Sequence, residues 1–301
     1  MSMGIDITQV QLNDFDQRGF FILEDAIPSD ALQMARQACD HAVESRRHGV
    51  EVGDVEGAQL MTTEGGRYFV FGLEEQCPEL YGFLLGDWAH EIIGSLTDSA
   101  DMFHTEFVVK DGGRPDAATR FGWHQDGGYN TAPDAGGAIV PKTPHLSLWC
   151  ALDDMSEHNG ALRVLPFDRN PTDHPVKYEI APRPGARPQP LFVHSRVTAR
   201  TENVNNRTGD IAGYFGDDPG DVVRVPAGSV VVFSALTLHG SGANRSASQR
   251  RALNIAYSQT AYDDEAFTSQ NKRRGVCFIE NGKLSAEARR LRDQRRRDRW
   301  S

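Results

Sequence analysis

The sequence contains few cysteines, and their spacing suggests no pairing. The four cysteines (Cys39, Cys77, Cys150 and Cys277) lie far apart, and none belongs to a CxxC motif. This spacing argues against a disulfide framework and against a zinc ribbon. We therefore expect reduced thiols in a cytoplasmic protein.

Long apolar runs are also missing. No stretch approaches the roughly 20 residues that a membrane-spanning helix requires. The N-terminal segment 4–17 is mostly polar, which is unlike a signal peptide. We expect a soluble protein without a membrane partner.

The chain has no overall excess of positive charge. Its formal net charge of −10 argues against nucleic acid or an anionic membrane surface as the main partner. The exception is segment 289–299, which carries seven arginines interrupted by two aspartates. The interspersed acids and the spacing of Leu284, Ala288 and Leu291 favour a solvated amphipathic helix over a nucleic-acid-binding arm.

What the sequence does contain is enough apolar material, 39% of 301 residues, for a sizeable core. No change in composition requires a second domain. We predict a single domain over residues 1–301, with a largely helical part at 1–100, a β core at 101–260 and a C-terminal extension with a helix at 261–301. Within the first part, patterns predict a strand at 20–23 and helices at 12–17, 28–45 and 80–96. Gly19, just after the first of these helices, suits a left-handed helix end.

After residue 101 the chain changes to short runs rich in Val, Phe and Leu, separated by Gly, Pro, Asn and Asp. These runs are 103–110, 146–152, 161–165, 221–225, 229–235 and 252–258. Short strands without alternating helices indicate an antiparallel barrel or sandwich. The predicted fold class is mainly β with helical decoration.

Two segments lack such patterns. Residues 46–66 are rich in Gly, Glu and Asp, and they form either a lid or a plain surface loop. Residues 166–218 are rich in Pro and Arg and are too long for a hairpin turn. We expect a helix there, or a flap over one end of the barrel.

A His-x-Asp motif follows the polar run at 111–120. On an extended strand, residues two apart face the same side, so His124 and Asp126 can point at one metal ion. A second histidine, His239, follows an apolar strand and precedes Gly-Ser-Gly, where small residues let a ligand approach. Two histidines and a carboxylate on one face of a metal are typical of non-haem Fe(II) oxygenases.

An arginine pair follows this second histidine, at the start of the next β run. Either Arg250 or Arg251 can point back beside His239, where a guanidinium would bind a carboxylate through two hydrogen bonds. By itself His-x-Asp is a weak signal, and two histidines with an aspartate also suit a zinc hydrolase or a non-catalytic metal-binding barrel. Neither of those alternatives gives the arginine a role.

Three stretches resemble the phytanoyl-CoA dioxygenase family. They are Trp-His-Gln-Asp at 123–126, Asn-Gly-Ala-Leu-Arg-Val-Leu-Pro at 159–166, and His-Gly-Ser-Gly-Ala-Asn at 239–244 with the arginine at 250. The resemblance implies a double-stranded β-helix, which is a cupin-like jelly roll. It also implies a dioxygenase that uses Fe(II), 2-oxoglutarate and O₂.

The resemblance also implies roles for individual residues. His124, Asp126 and His239 match the iron ligands of the family. Arg250, eleven positions after His239, matches the arginine that binds the distal carboxylate of 2-oxoglutarate. Arg251 is the competing assignment, and the spacing favours Arg250.

Further positions match the cosubstrate pocket of relatives, namely Ser241, Gln125 and Trp149. The sequence departs from the family at 165–169, where Leu-Pro-Phe-Asp-Arg replaces the frequent Leu-Pro-Gly-Ser-His. It departs again at Glu106, where relatives frequently carry a neutral residue. An unpaired carboxylate beside the cosubstrate would be unfavourable, so Glu106 either turns away or acts on the substrate.

The implied reaction couples decarboxylation of 2-oxoglutarate to succinate and CO₂ with oxidation of an unactivated C–H bond. Hydroxylation is the default, while desaturation, epoxidation and ring closure stay open. Halogenating relatives carry a small residue where this chain has Asp126. We expect a biosynthetic small-molecule metabolite rather than an acyl-CoA as the substrate, bound near Arg67, Glu106, Tyr129 and Asn130. The oligomeric state is not written in the sequence.

Overall fold

The computed structural model describes residues 4–47, 66–73, 77–113, 119–128, 131–133, 139–141, 144–169, 192–196, 211–214, 218–258 and 275–298. Its helices are α1 (Gln9–Arg18), α2 (Ser29–Arg47), α3 (Tyr81–Leu84), α4 (Asp87–Gly94) and α5 (Ala286–Asp298). Its strands are β1 (Phe20–Leu23), β2 (Arg67–Phe71), β3 (Ala100–Lys110), β4 (Phe121–His124), β5 (Thr131–Pro133), β6 (Ile139–Pro141), β7 (His145–Ala151), β8 (Leu162–Leu165), β9 (Phe192–Arg196), β10 (Ile211–Tyr214), β11 (Asp221–Val222), β12 (Val230–Ser234), β13 (Leu238–Ser241), β14 (Arg250–Ser258), β15 (Val276–Glu280) and β16 (Lys283–Leu284). None of the described helices is both long and apolar enough to cross a membrane.

The first helix is bounded by caps that the sequence encodes. The Thr8 side chain accepts from the Gln11 backbone N–H, and the Gln11 side chain accepts from the Thr8 backbone N–H, which forms a capping box. Helix α1 ends at Gly19, whose φ of 79° is left-handed, as predicted from its position. This turn leads directly into β1, which pairs antiparallel with β12.

Two antiparallel sheets form the β core. The larger has eight strands in the order β1-β12-β7-β14-β3-β15-β16, with β2 also paired to β3. The smaller has four strands in the order β11-β8-β13-β4. The predicted mainly β fold with helical decoration is confirmed.

The larger sheet separates two apolar clusters. On one side, β-strand residues of both sheets pack together, among them Val108, Trp149, Val231, Leu162 and Val164. On the other side, residues such as Phe107, Leu148 and Leu253 pack with helix residues such as Leu84, Trp88 and Ile92. Because successive strand residues point to opposite faces, Glu106 and Val108 of β3 and Arg250, Ala252 and Asn254 of β14 all face the space between the sheets. That space holds the candidate site.

The six predicted β runs all fall on observed strands, with bounds shifted by up to three residues. The single helix predicted at 80–96 is wrong, because Leu85 and Gly86 separate α3 from α4. Gly86 has extended backbone (φ −69°, ψ 158°), and a Cβ atom there would lie 2.7 Å from the Trp88 indole. Several observed strands were not predicted, namely β2, β5, β6, β9, β10, β13, β15 and β16.

Some expectations fall outside the described residues. This applies to nearly all of the proposed lid at 46–66 and to most of the proposed flap at 166–218. The C-terminal extension contains the expected helix, α5, where Ala288 is buried and Leu291 packs against the core. A single domain over residues 1–301 stays a prediction.

Candidate active site

Three potential metal ligands meet beside the smaller sheet. His124 ends β4, and His239 lies opposite it on β13. Asp126 begins a short 3-10 turn directly after β4. One ligand atom of each residue lies within 4.8 Å of the other two, and Asp126 Oδ1 is 3.5 Å from Nε2 of each histidine. The expectation that His124 and Asp126 share one continuous strand is wrong, because the strand ends at His124.

Backbone carbonyls orient both imidazole rings. Nδ1 of His124 donates to Gly122 O at 2.9 Å, and Nδ1 of His239 donates to Thr237 O at 3.0 Å. A carbonyl oxygen only accepts, so each Nδ1 carries the proton and each Nε2 keeps a lone pair. This is the usual arrangement of metal-binding histidines, whose second nitrogen is fixed by an outer partner.

The protonation of the cluster also suits a metal. Burial lowers the pKa of His239 to about 4, with the positive field of His124 adding to the effect and Asp126 opposing it. Burial would raise the pKa of Asp126, but His239 and His124 hold it well below its usual range. At neutral pH His239 therefore offers a neutral imidazole and Asp126 an ionised carboxylate, the forms that bind metal.

Aromatic rings hold the two histidines in place from the sides. The Phe121 ring centroid is 4.3 Å from that of His124, and the Phe233 centroid is 4.6 Å from that of His239. On Asp126, the second carboxylate oxygen, Oδ2, lies 3.5 Å from the Ser147 hydroxyl. The donor set and its rigid support fit a divalent iron ion held by two histidines and one carboxylate.

A cavity opens beside these ligands, between the two sheets. Its lining residues are Phe69, Glu106, Val108, Phe121, His124, Asp126, Trp149, Leu162, Phe233, His239, Gly240, Ser241, Arg250 and Asn254. It includes seven of the residues singled out from the sequence and therefore brings most of the predicted site together.

Arg250 contributes a buried positive charge to this cavity. The residue is 1% exposed, its Nη2 donates to Gly160 O at 2.9 Å, and its guanidinium lies 5.8 Å from the Trp149 ring centroid. Burial lowers its pKa to about 10, so the group stays charged at neutral pH. No described residue accepts a hydrogen bond from Nε or forms an ion pair with this guanidinium. An anionic ligand in the cavity would supply the missing partner.

The neighbouring Arg251 points to the other face of β14. Its guanidinium donates to both carboxylate oxygens of Asp153, at 3.0 and 2.7 Å, and to Asp40 at 2.8 Å. These hydrogen bonds account for its charge outside the cavity. Geometry therefore favours Arg250 over Arg251 as the residue available to a ligand.

Lys110 is a polar neighbour of the site that sequence reasoning missed. It is fully buried, and its Nζ donates to Ser241 Oγ at 2.7 Å and to Gly242 O. Across the strands it lies between Arg67 and Arg250 in register, so three basic residues form one row. The available signal was a lysine at the end of a predicted buried strand.

The remaining predicted site residues have different environments. Gln125, expected to line the pocket, is fully buried, and its Nε2 donates to Leu236 O at 2.6 Å instead. Arg67 is buried against the Phe121 ring and donates to Arg120 O, and it is not among the lining residues. Tyr129 and Asn130 fall outside the described residues.

Comparisons with known proteins relate this chain to one family and to one characterised enzyme. The family model for phytanoyl-CoA dioxygenase (PhyH) matches residues 15–252. The L-proline trans-4-hydroxylase of Streptomyces griseoviridis is 33% identical over 141 residues, which cover 46% of this chain and 47% of that protein. The chain thus matches about half the length of this curated relative.

Solved structures with a similar fold include the non-haem alpha-ketoglutarate-dependent carbocyclase SnoK from nogalamycin biosynthesis (TM-score 0.57, 17% identity, 90% of this chain and 94% of that chain). EvdO2 from Micromonospora carbonacea var. aurantiaca complexed with 2-oxoglutarate is also similar (TM-score 0.55, 21% identity, 86% and 94%). These likenesses confirm the expected jelly-roll fold. Because the family model matches most of its length, this chain belongs to the phytanoyl-CoA dioxygenase family.

Proposed function

We propose that this protein is an Fe(II)- and 2-oxoglutarate-dependent dioxygenase that hydroxylates a C–H bond of a small-molecule metabolite. One observation carries the proposal. The cluster of His124, Asp126 and His239 shares a cavity with Arg250, whose buried charge has no acidic partner among the described residues. A metal ion bound by the three ligands and an anionic cosubstrate paired with Arg250 would account for both features.

The proposed iron ligands are Nε2 of His124, Nε2 of His239 and a carboxylate oxygen of Asp126. Three protein ligands leave positions open for other molecules. A bound Fe(II) ion would supply the dioxygen chemistry, coupling decarboxylation of 2-oxoglutarate to C–H oxidation. The task of the chain is to orient the reactants and to exclude water.

Arg250 is the proposed partner of the distal carboxylate of 2-oxoglutarate. A guanidinium can hold a carboxylate through two hydrogen bonds, which fixes both position and charge. The Ser241 hydroxyl, oriented by Lys110, is a second candidate donor, and Trp149 supports the guanidinium from its face. Family membership and the relative that hydroxylates L-proline support this assignment.

The substrate class and setting are also proposals. The curated relative makes L-proline the first compound to assay. Desaturation, epoxidation and ring closure are alternative outcomes at the same site. A cytoplasmic location is supported by four free cysteines, of which three are buried.

An anaerobic spectrum tests the proposal directly. Fe(II) and 2-oxoglutarate are added to metal-free protein, and the visible spectrum is recorded. We expect a weak metal-to-ligand charge-transfer band that is absent in His239→Ala. Absence of the band from the wild-type protein, together with tight retention of zinc, would contradict the oxygenase and favour a zinc hydrolase.

A further inference from the structure

Glu106 is a second acidic group in the cavity, besides Asp126. Its side chain is 14% exposed, and Oε1 accepts a hydrogen bond from Asn254 Nδ2 at 3.3 Å. The basic group nearest to it among the described ion pairs is His104, whose Nε2 lies 3.7 Å from Oε2, beyond hydrogen-bond distance. Neither the proposed iron site nor the proposed cosubstrate site uses this carboxylate.

Asn254 adds an unused acceptor next to it. A carboxylate only accepts hydrogen bonds, so the amide nitrogen of Asn254 must face Glu106 and the amide oxygen must face elsewhere. The residue is 7% exposed, and no described group donates to Oδ1. A buried carbonyl oxygen without a donor is unfavourable. The cavity wall therefore presents a carboxylate and a carbonyl oxygen that both accept.

The strand register separates these acceptors from the cationic end of the cavity. Glu106 pairs with Asn254, while Lys110 pairs with Arg250, four residues further along β3 and four back along β14. At about 3.3 Å per residue the two pairs lie roughly 13 Å apart. The cavity thus has a basic end suited to a carboxylate and an acceptor-lined region suited to a donor.

We propose that Glu106 and Asn254 together bind a protonated amine of the substrate, which makes them specificity-determining residues. Glu106 would accept a charge-assisted N–H hydrogen bond, and Asn254 Oδ1 would accept a second one. A primary or secondary ammonium group supplies both donors, and its charge compensates the carboxylate. The substrate class is accordingly a small molecule with a protonated amino group, such as a free amino acid. This inference rests on the proposed dioxygenase function.

The test uses full-length protein reconstituted with Fe(II) and 2-oxoglutarate, with succinate release as the readout. The probes are the twenty standard L-amino acids, each paired with its N-acetyl derivative, and L-proline paired additionally with tetrahydrofuran-2-carboxylate. We expect stimulated succinate release from members of the amine set and none from their partners that lack the α-ammonium group. A panel in which no amine exceeds the partner without this group overturns the proposal.

Variants at the two positions separate recognition from catalysis. In Glu106→Gln, which keeps the side-chain shape, the KM for the best amine should rise about 10- to 100-fold, the range expected on losing a hydrogen bond between charged groups. Its KM for 2-oxoglutarate and its charge-transfer band should not change. Glu106→Asp should recover part of the lost affinity, and Asn254→Leu should raise the same KM.

An unchanged amine KM in Glu106→Gln overturns the inference while leaving the dioxygenase proposal intact. A wild-type protein without the charge-transfer band overturns both. The two failures are therefore distinguishable, because the band reports iron and 2-oxoglutarate and does not require the amine.

Discussion

Arg250 and Arg251 are adjacent, yet they face opposite environments because strand side chains alternate between the two faces of a sheet. The first enters the cavity without an acidic partner among the described residues, and the second is held by Asp153 and Asp40 on the other face. We therefore expect the two arginines to differ in function, because only Arg250 lies on the face of β14 that lines the cavity.

This parity gives a matched pair of variants. In Arg250→Lys the charge is kept but the two-pronged carboxylate contact is lost, so the KM for 2-oxoglutarate should rise about 10-fold or more, corresponding to roughly 1.5 kcal/mol. Arg251→Lys is the control and should leave that KM unchanged. Steady-state succinate release measures both, and equal effects would contradict the assignment of Arg250.

Asp126 determines whether the proposed iron site is complete. In Asp126→Gly, iron affinity should fall at least about 10-fold, since even the loss of outer-shell partners of a metal site costs that much. Metal analysis after equilibrium dialysis checks this, with Arg251→Lys as the control, because Arg251 is held by Asp153 outside the cavity and contacts none of the three ligands. Full iron binding and full activity in Asp126→Gly, or a chlorinated product from the wild-type protein, would contradict the role of this carboxylate.

At the scale of elements, the turn between α1 and β1 depends on Gly19. A Cβ atom there would lie 2.6 Å from Thr237 Oγ1 and 2.7 Å from the Phe167 ring, and φ is +79°. The turn joins the helical N-terminal part to the strand that pairs with β12. A single glycine therefore fixes how the helix and the sheet edge meet.

We expect Gly19→Ala to lower the free energy of unfolding by about 2–4 kcal/mol, from left-handed strain plus steric overlap. Gly113→Ala is the matched control. Gly113 also has positive φ (+72°) but faces open space, so a loss of only about 1 kcal/mol is expected. Urea denaturation measures the free energy of unfolding of both variants. Equal losses would show that Thr237 and Phe167 move aside to accommodate the new Cβ atom at position 19.

At the scale of the whole molecule, the proposed ligands join distant parts of the chain. His124 and His239 are 115 residues apart, and Arg250 lies on the other sheet. A metal and a cosubstrate that bind only the folded state would therefore stabilise the entire β core. Ligand linkage makes this effect measurable without turnover.

We expect Mn(II), as a redox-stable substitute, and 2-oxoglutarate to raise the melting temperature of the metal-free protein. At 100 times the dissociation constant the stabilisation is about 2.7 kcal/mol, which corresponds to a shift of roughly 4 °C for a domain of this size. His239→Gln should show no shift, whereas Arg251→Lys should respond like the wild-type protein. An equal shift in His239→Gln would place the metal elsewhere.

Local patterns were enough to predict much of the fold. Strand β1, the glycine that ends α1 and the six β runs follow from capping chemistry and apolar patterns, which act over a few residues. The continuous helix at 80–96 was wrong because Gly86 adopts extended backbone between α3 and α4, and the pattern of apolar residues does not show this break. Strand β2 was not predicted because it has only five residues, Arg67–Phe71, and follows segment 46–66, which has no apolar pattern. So short a run shows little periodicity.

The sequence by itself determined the candidate ligand types, their order and the parity that separates Arg250 from Arg251. Only the tertiary structure decided which strands are neighbours. Cross-strand register set His239 opposite His124, Lys110 beside Arg250, and Glu106 beside Asn254. Register is a property of paired strands rather than of either strand alone. For that reason the roles of Lys110 and Asn254 emerged only from the fold.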